Sequence, residues 1–289
     1  MDKRIWINIG LLAFIVLISA LLLIPGEEAE QELPRLTTID SNDIVQIEIL
    51  RKDMNNFVFS KQDEIWHMNS PQQLRANDAR INAMLRLLNT ESHGLLNPAD
   101  VELTRFYLAD PIIVMKLNDH VFQFGNTDAI NQRRYVLFDG MIHLTNDFLY
   151  HQLTTNASFF ADTRLLPDSP EIDSIQFPDN KIELVDGHWK LETLMDVSPD
   201  QLKRIIFNWQ TAIAISVSKY AEPETELPII VTPAKADAIE FIIVATEPHL
   251  ILGRKELGIQ YHLGSDVADK LLLQENTETN IPPETTELE

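Results

Sequence analysis

His143 and His262 sit in matching stretches, Ile142-His143-Leu144-Thr145 and Tyr261-His262-Leu263-Gly264, while His67 and His188 flank Trp66 and Trp189. Such symmetry is what a pair of metal or acid–base sites would require. A helix that holds a metal usually places two histidines one turn apart, as in His-x3-His or His-Glu-x-x-His, and neither pattern occurs. The eight histidines therefore read as structural or solvated. Trp66 and Trp189 could stack on a sugar or a peptide, yet their return at the same hairpin position reads as core packing. Forty-four Asp and Glu make accidental carboxylate pairs certain, and general acid/base work needs a cleft to organise them. Ser158 and Ser216 lie in no Gly-x-Ser-x-Gly elbow or triad context. With nine glycines in the chain there is little room for a phosphate-cradling loop. Asn156-Ala157-Ser158 matches a glycosylation acceptor by coincidence, and Arg133-Arg134 is the one exposed positive spot, read as a solvated loop. No catalytic, cofactor-binding or metal-ligating residue is assigned, and no cofactor is expected.

The elements that carry these residues repeat along the chain. Ile44 to Ile49, Phe57-Val58-Phe59 and Ile65-Trp66-His67-Met68 alternate like paired strands and lead through a polar stretch into a helix. Ile172 to Phe177, Ile182 to Val185 and His188-Trp189-Lys190-Leu191 do the same, with Gln62-Asp63-Glu64 and Asp186-Gly187 as the turns. The helices align at one offset: Ile81, Met84, Leu85 and Leu88 correspond to Leu202, Ile205, Ile206 and Trp209, the stripe of a helix with one buried face. Ser198, Pro199 and Gln201 spell a capping box with proline at the first helical position, and Asn77 or Asp78 caps the first helix. A third block matches Pro111 to Leu117 and Val121 to Gly125 with Ile239 to Val244 and His249 to Gly253, each read as two strands joined by a tight turn. Ile142 to Phe148 then returns as Tyr261 to Val267, each ahead of a short helix. Asn131 to Phe138 has no evident counterpart and reads as an extra hairpin strand of the first copy. The Pro-rich stretch 166–170 separates the copies.

Ahead of the repeats, residues 5–24 (Ile5 at one end, Ile24 at the other) carry no charge and only Asn8 and Ser19 as clearly polar side chains. Such a helix is about 30 Å long, enough to cross a bilayer core. It is too long for a secretory signal's apolar region and ends in Pro25-Gly26-Glu27-Glu28 rather than at small residues. Lys3 and Arg4 precede it and Glu27, Glu28, Glu30 and Glu32 follow, which places the N-terminus in the cytoplasm and the remainder outside. The absence of cysteine excludes disulfides and thiol chemistry. A net charge of −21 opposes nucleic acid and anionic lipid alike, and serves solubility.

The run Trp66, Pro71, the first amphipathic helix, Phe106-Tyr107-Leu108-Ala109-Asp110-Pro111, Phe122-Gln123-Phe124-Gly125, Arg134-Tyr135-Val136-Leu137 and Asp162-Thr163-Arg164-Leu165-Leu166-Pro167 resembles the bacterial family of domain of unknown function 4340, over roughly residues 44 to 272. Where that family often has Gly before the Leu-to-Pro turn residues, this chain has Leu108-Ala109. The resemblance implies a single-pass envelope protein, in some members associated with ABC transporters of the gliding-motility type, and brings no catalytic residues.

The expectations are therefore an α+β chain, a tandem duplication of a mostly antiparallel sheet plus amphipathic helix unit. A transmembrane anchor is expected over residues 1–25, an acidic tether over 26–38, the repeats over 39–167 and 168–274, and an acidic disordered tail over 275–289. The expected function is a non-enzymatic, membrane-anchored, extracytoplasmic accessory or scaffold protein of an ABC-transporter-type complex in the bacterial inner membrane, with its domain facing the periplasm. The alternatives are a small-molecule or glycan-binding protein using the cleft between the repeats, and an envelope hydrolase.

Overall fold

The structure, a computed structural model, describes residue 6 and residues 10–16, 18–19, 33–193 and 197–273. Its first sheet contains β1 (Gln46–Arg51), β2 (Phe57–Gln62), β3 (Ile65–Ser70), β4 (Leu74–Arg75), β5 (Leu95–Leu96), β6 (Ile113–Leu117), β7 (His120–Thr127), β8 (Arg134–Phe138) and β9 (Met141–Thr145). Helix α1 (Asp78–Leu85) lies between β4 and β5 in the chain, and α2 (Tyr150–Leu153) follows β9. The second sheet contains β10 (Ile172–Gln176), β11 (Lys181–Val185), β12 (His188–Leu191), β13 (Ser216–Lys219), β14 (Pro228–Pro233), β15 (Ile239–Ala245), β16 (Ile251–Arg254) and β17 (Ile259–His262). Helix α3 (Pro199–Thr211) precedes β13, and α4 (Ser265–Leu271) follows β17. Both sheets are antiparallel, so the chain is α+β with two sheet units.

Turn chemistry explains the hairpins. Asp63-Glu64, Asp139-Gly140 and Asp186-Gly187 join β2 to β3, β8 to β9 and β11 to β12, and all six residues have positive φ. Paired positive φ gives the turn whose twist matches that of the strands it joins. The strand orders are β4-β3-β2-β1-β6-β7-β8-β9-β5 and β12-β11-β10-β14-β15-β16-β17-β13. With β4 set aside, the two orders are the same, strand for strand.

That order corrects the expected alignment in one place. The β6–β7 hairpin corresponds to β14–β15, not to β15–β16, and β8 corresponds to β16 rather than being an extra strand. The additional strand of the first sheet is β4. What hid β14 is its two prolines: Pro228 and Pro233 bracket Ile229-Ile230-Val231, and proline ordinarily argues against a central strand. Here both prolines sit at strand ends, opposite Ile242 and Ile172.

The helices pack as their stripes require. Asn77 caps α1 by accepting from the Arg80 N–H, and Ile81, Met84, Leu85 and Leu88 are buried, the last from the 3-10 turn Arg86–Asn89. In α3 the Ser198–Gln201 capping box is present, with Leu202, Ile206 and Trp209 buried. Trp209 donates its indole N–H to the Leu271 carbonyl at 2.9 Å, so its polar end is satisfied and α4 is pinned to α3. Aromatic rings anchor each side of one continuous core. Phe160 meets Phe57 and Phe59 edge-on at 5.3 Å, and Trp209 lies 5.4 Å from Phe241.

The expected anchor, residues 5–24, falls largely outside the described residues. Trp6, residues 10–16, Ile18 and Ser19 are helical and exposed. Among the described residues no helix is long and apolar enough to cross a membrane. The expected tail, 275–289, also lies outside them. The last part of the expected tether is already folded against the 3-10 turn Arg86–Asn89 of the first unit. Leu36 is buried, its N–H donates to the Thr90 carbonyl at 2.7 Å, and the Thr37 hydroxyl donates to the Leu88 carbonyl. An apolar residue after the acidic run, rather than Ile39, begins the packed chain.

Candidate functional site

The two sheets meet along an extended segment, 160–166, which hydrogen-bonds to both. The Phe160 carbonyl accepts from the Asn77 N–H at 2.7 Å, and the Asp162 N–H donates to the Arg75 carbonyl at 2.9 Å. Three residues on, the Leu165 N–H donates to Ala212 and the Ala214 N–H to Thr163. Two apolar pairs bury this segment: Phe160-Ala161 and Leu165-Leu166 are all in the core.

Asp162 is the polar centre of the seam, its side chain 8% exposed. Arg164 donates to it through Nε at 3.1 Å and Nη2 at 2.6 Å, and the Nε of Arg75 lies 3.3 Å away. Arg75 also donates from Nη1 to Asp168 at 2.6 Å. The Arg75 hydrogen bond holds the Asp168 carboxyl below its ordinary range, and the hydrogen bond to Asp162 raises Arg164. A carboxylate buried this far is tolerable only because guanidinium groups meet it from both sides. The cluster fastens the connecting segment to β4 of the first sheet, while backbone hydrogen bonds to Ala212 and Ala214 fasten it to the second unit.

Beside it lies a cavity of about 350 Å³ lined by His67, Asn69, Gln73 and Arg75 from the first sheet and Leu257 from the second. Trp66 does not face it as a stacking platform; it is buried in the core, and Trp189 is half-buried against that core.

His143 on β9 and His262 on β17 occupy equivalent strands, and each meets a serine hydroxyl. The Ser92 Oγ lies 3.0 Å from His143 Nδ1 and donates to the Gly94 carbonyl, so it accepts from the imidazole. Ser218 Oγ lies 2.8 Å from His262 Nε2, while His262 Nδ1 faces His249 Nε2 at 3.4 Å. Burial lowers both histidine pKa values, and the neighbouring His249 lowers that of His262 further. The Gln260 side-chain amide, 3.4 Å from the same Nε2, competes with Ser218 for that nitrogen. Its own carbonyl accepts from the Ala221 N–H, which ties the group into the fold. Among the described residues no group of three His, Cys, Asp or Glu could hold a metal ion.

Arg134 is not an exposed positive spot. It is buried, donates to Asp147 through Nε at 2.7 Å and Nη2 at 2.6 Å, and lies 3.6 Å above the Tyr150 ring. Ser158 is buried in the 3-10 turn Ala157–Phe160, and Ser216 is exposed on β13. Strand β13 is an edge of the second sheet, and Ile213 and Ile215 just before it are 60% and 77% exposed. Nothing in the periodicity of the sequence marked this edge, because β13 is short and mostly polar.

The chain matches the family model described as a domain of unknown function, DUF4340, over residues 66–241. No curated protein and no solved structure matches it.

Proposed function

Since the chain belongs to the DUF4340 family, we propose that it is a non-enzymatic, single-pass accessory or scaffold protein of the bacterial inner membrane. In this reading residues 5–24 are the anchor, the N-terminus is cytoplasmic, and a tandem duplication, 39–167 and 168–274, faces the periplasm as part of an ABC-transporter-type complex. The shared strand order supports the duplication. The observation that carries the scaffold reading is the pair Ile213 and Ile215, 60% and 77% exposed beside the edge strand β13. Large apolar side chains left together in solvent are what the apolar surface of a partner protein would cover.

A photo-crosslinker placed at Ile215 in intact membranes tests it. We expect a discrete adduct with one integral membrane protein, lost in Ile213→Glu. A mass-spectrometric readout that finds no such adduct refutes the reading. The alternative, ligand capture in the cleft between repeats, has less behind it. The seam cavity of about 350 Å³ is near the lower limit of ligand-site volumes, and the rest of the seam is packed.

A further inference from the structure

Ten non-glycine residues among those described have positive φ, and nine of them are Asp, Asn, Ser, Glu or Gln. The tenth is Tyr107, at φ 56°. Left-handed backbone is uncommon for any residue with a Cβ, and a bulky side chain there is a genuine outlier. The glycine-favouring position of the Phe106-to-Pro111 turn is thus filled by an aromatic ring. Glycine would serve the turn at less cost, which singles out the ring as a candidate for a role beyond the turn.

Its neighbours hold it in place. The Phe106 backbone lies so close to Gly125 on β7 that any Cβ at Gly125 would collide with the Phe106 carbonyl oxygen. The Phe106 ring packs edge-on against Tyr135 at 4.6 Å, the Asn126 side chain donates to the Arg105 carbonyl, and Leu108 is buried. Between these fixed points Tyr107 stands 58% exposed at the wall of a cavity of about 450 Å³. A rigid aromatic on a clamped loop is a preorganised platform, which lowers the entropy cost of binding.

The rest of the lining defines the ligand. Ala109 and Ile112 give an apolar surface, while the Thr104 hydroxyl, Asp53 and the Lys52–Asp110 ion pair supply hydrogen-bonding groups. Because Lys52 and Asp110 neutralise each other, Asp53 leaves the cavity with a net negative charge that opposes phosphate or carboxylate ligands. The occupant must offer an apolar face to the ring and a rim of neutral hydroxyls to the carboxylates. A sugar ring has both.

We propose that this cavity is a saccharide-binding site, with Tyr107 stacked on the apolar face of one sugar ring and Asp53, Asp110 and Thr104 hydrogen-bonded to its hydroxyls. The site lies on the first sheet, away from the seam and from β13, so it stands apart from the scaffold reading.

Saturation-transfer NMR on the full chain, in a zwitterionic detergent without sugar headgroups, tests it with chitotriose, maltotriose and cellotriose as probes. Transfer to the ring protons of at least one trisaccharide is expected. Tyr107→Gly should weaken it about ten-fold or more while leaving the Tm unchanged or higher, because glycine relieves the backbone. Tyr107→Trp should retain it. Absence of transfer from all three sugars, transfer that survives Tyr107→Gly, or a lower Tm in that variant would each overturn the proposal.

Discussion

Asp162→Asn is the substitution that tests how the connecting segment is held to the first sheet. Asparagine keeps the shape of the side chain and an oxygen for the Arg164 N–H, now 3.1 Å away, but removes the charge that Arg164 and Arg75 share. Removing one member of a buried ion pair costs about 3–5 kcal/mol, since the remaining charge stays desolvated. Two features place the cost at the low end, about 3 kcal/mol: the Arg164 side chain is 36% exposed, and Arg75 keeps Asp168 at 2.6 Å. Asp168→Asn is the control, because that carboxylate is 67% exposed and a surface pair contributes about 0–1 kcal/mol. Urea unfolding of the full chain in mild detergent measures both. With an m value of about 3 kcal/mol/M, Asp162→Asn should lower the midpoint by about 1 M and Asp168→Asn by no more than about a third of that. With Trp6 replaced by Phe, tryptophan fluorescence separates the two sheets, since Trp66 reports the first and Trp189 and Trp209 the second unit. Loss of the seam should resolve one transition into two, seen by comparing the chain with its Trp66→Phe variant. If Asp162→Asn costs no more than Asp168→Asn, the ion cluster does not hold the segment to the first sheet and the apolar residues around it do.

Gly125→Ala should destabilise strongly, by about 1–3 kcal/mol or more, because the added methyl meets backbone that is itself anchored rather than a side chain that can turn away. The same urea measurement reads it, and a near-neutral result would mean that the Phe106 loop is free to move. Acid sensitivity follows from His143 and His262, whose folded pKa values are lowered by burial. The unfolded chain then binds protons first as pH falls below about 6.5, so their stabilisation is whole above that pH and lost progressively towards the depressed folded values. Stability measured from pH 8 to 5 should fall below about 6.5, less steeply in His262→Gln, and a flat profile would contradict the burial of these imidazoles.

Local chemistry was the most legible part of the chain. Ser198, Pro199 and Gln201 announce the start of α3, and Asp186-Gly187 announces a hairpin, because the residues that satisfy those backbones lie within four positions of one another. Features built by distant partners were not. Arg134 looks like surface until Asp147 and Tyr150 are brought over it, and the seam couples Arg75 with Asp162 across most of the first sheet's length of chain. No periodicity records such a pairing. Tyr107 escaped for another reason, since its sequence neighbours show a turn but not which residue takes positive φ. Strand β14 was obscured by prolines whose position at the strand ends is visible only once the pairing is known.

Two sheets with one strand order in a single chain create a folding hazard. As the chain leaves the ribosome, β10 to β12 could add to unfinished ladders of the first sheet, where β1 to β3 belong, and misassembly between like units is a characteristic failure of such chains. The aromatic residues oppose it where the units differ. Strand β2 buries Phe57 and Phe59 against Phe160, whereas its counterpart β11 carries no ring, and α3 buries Trp209 where the first unit has Leu88. A strand exchanged between units would carry its rings to places already filled and leave others empty, so the cores tell apart two sheets that the backbone alone would confuse.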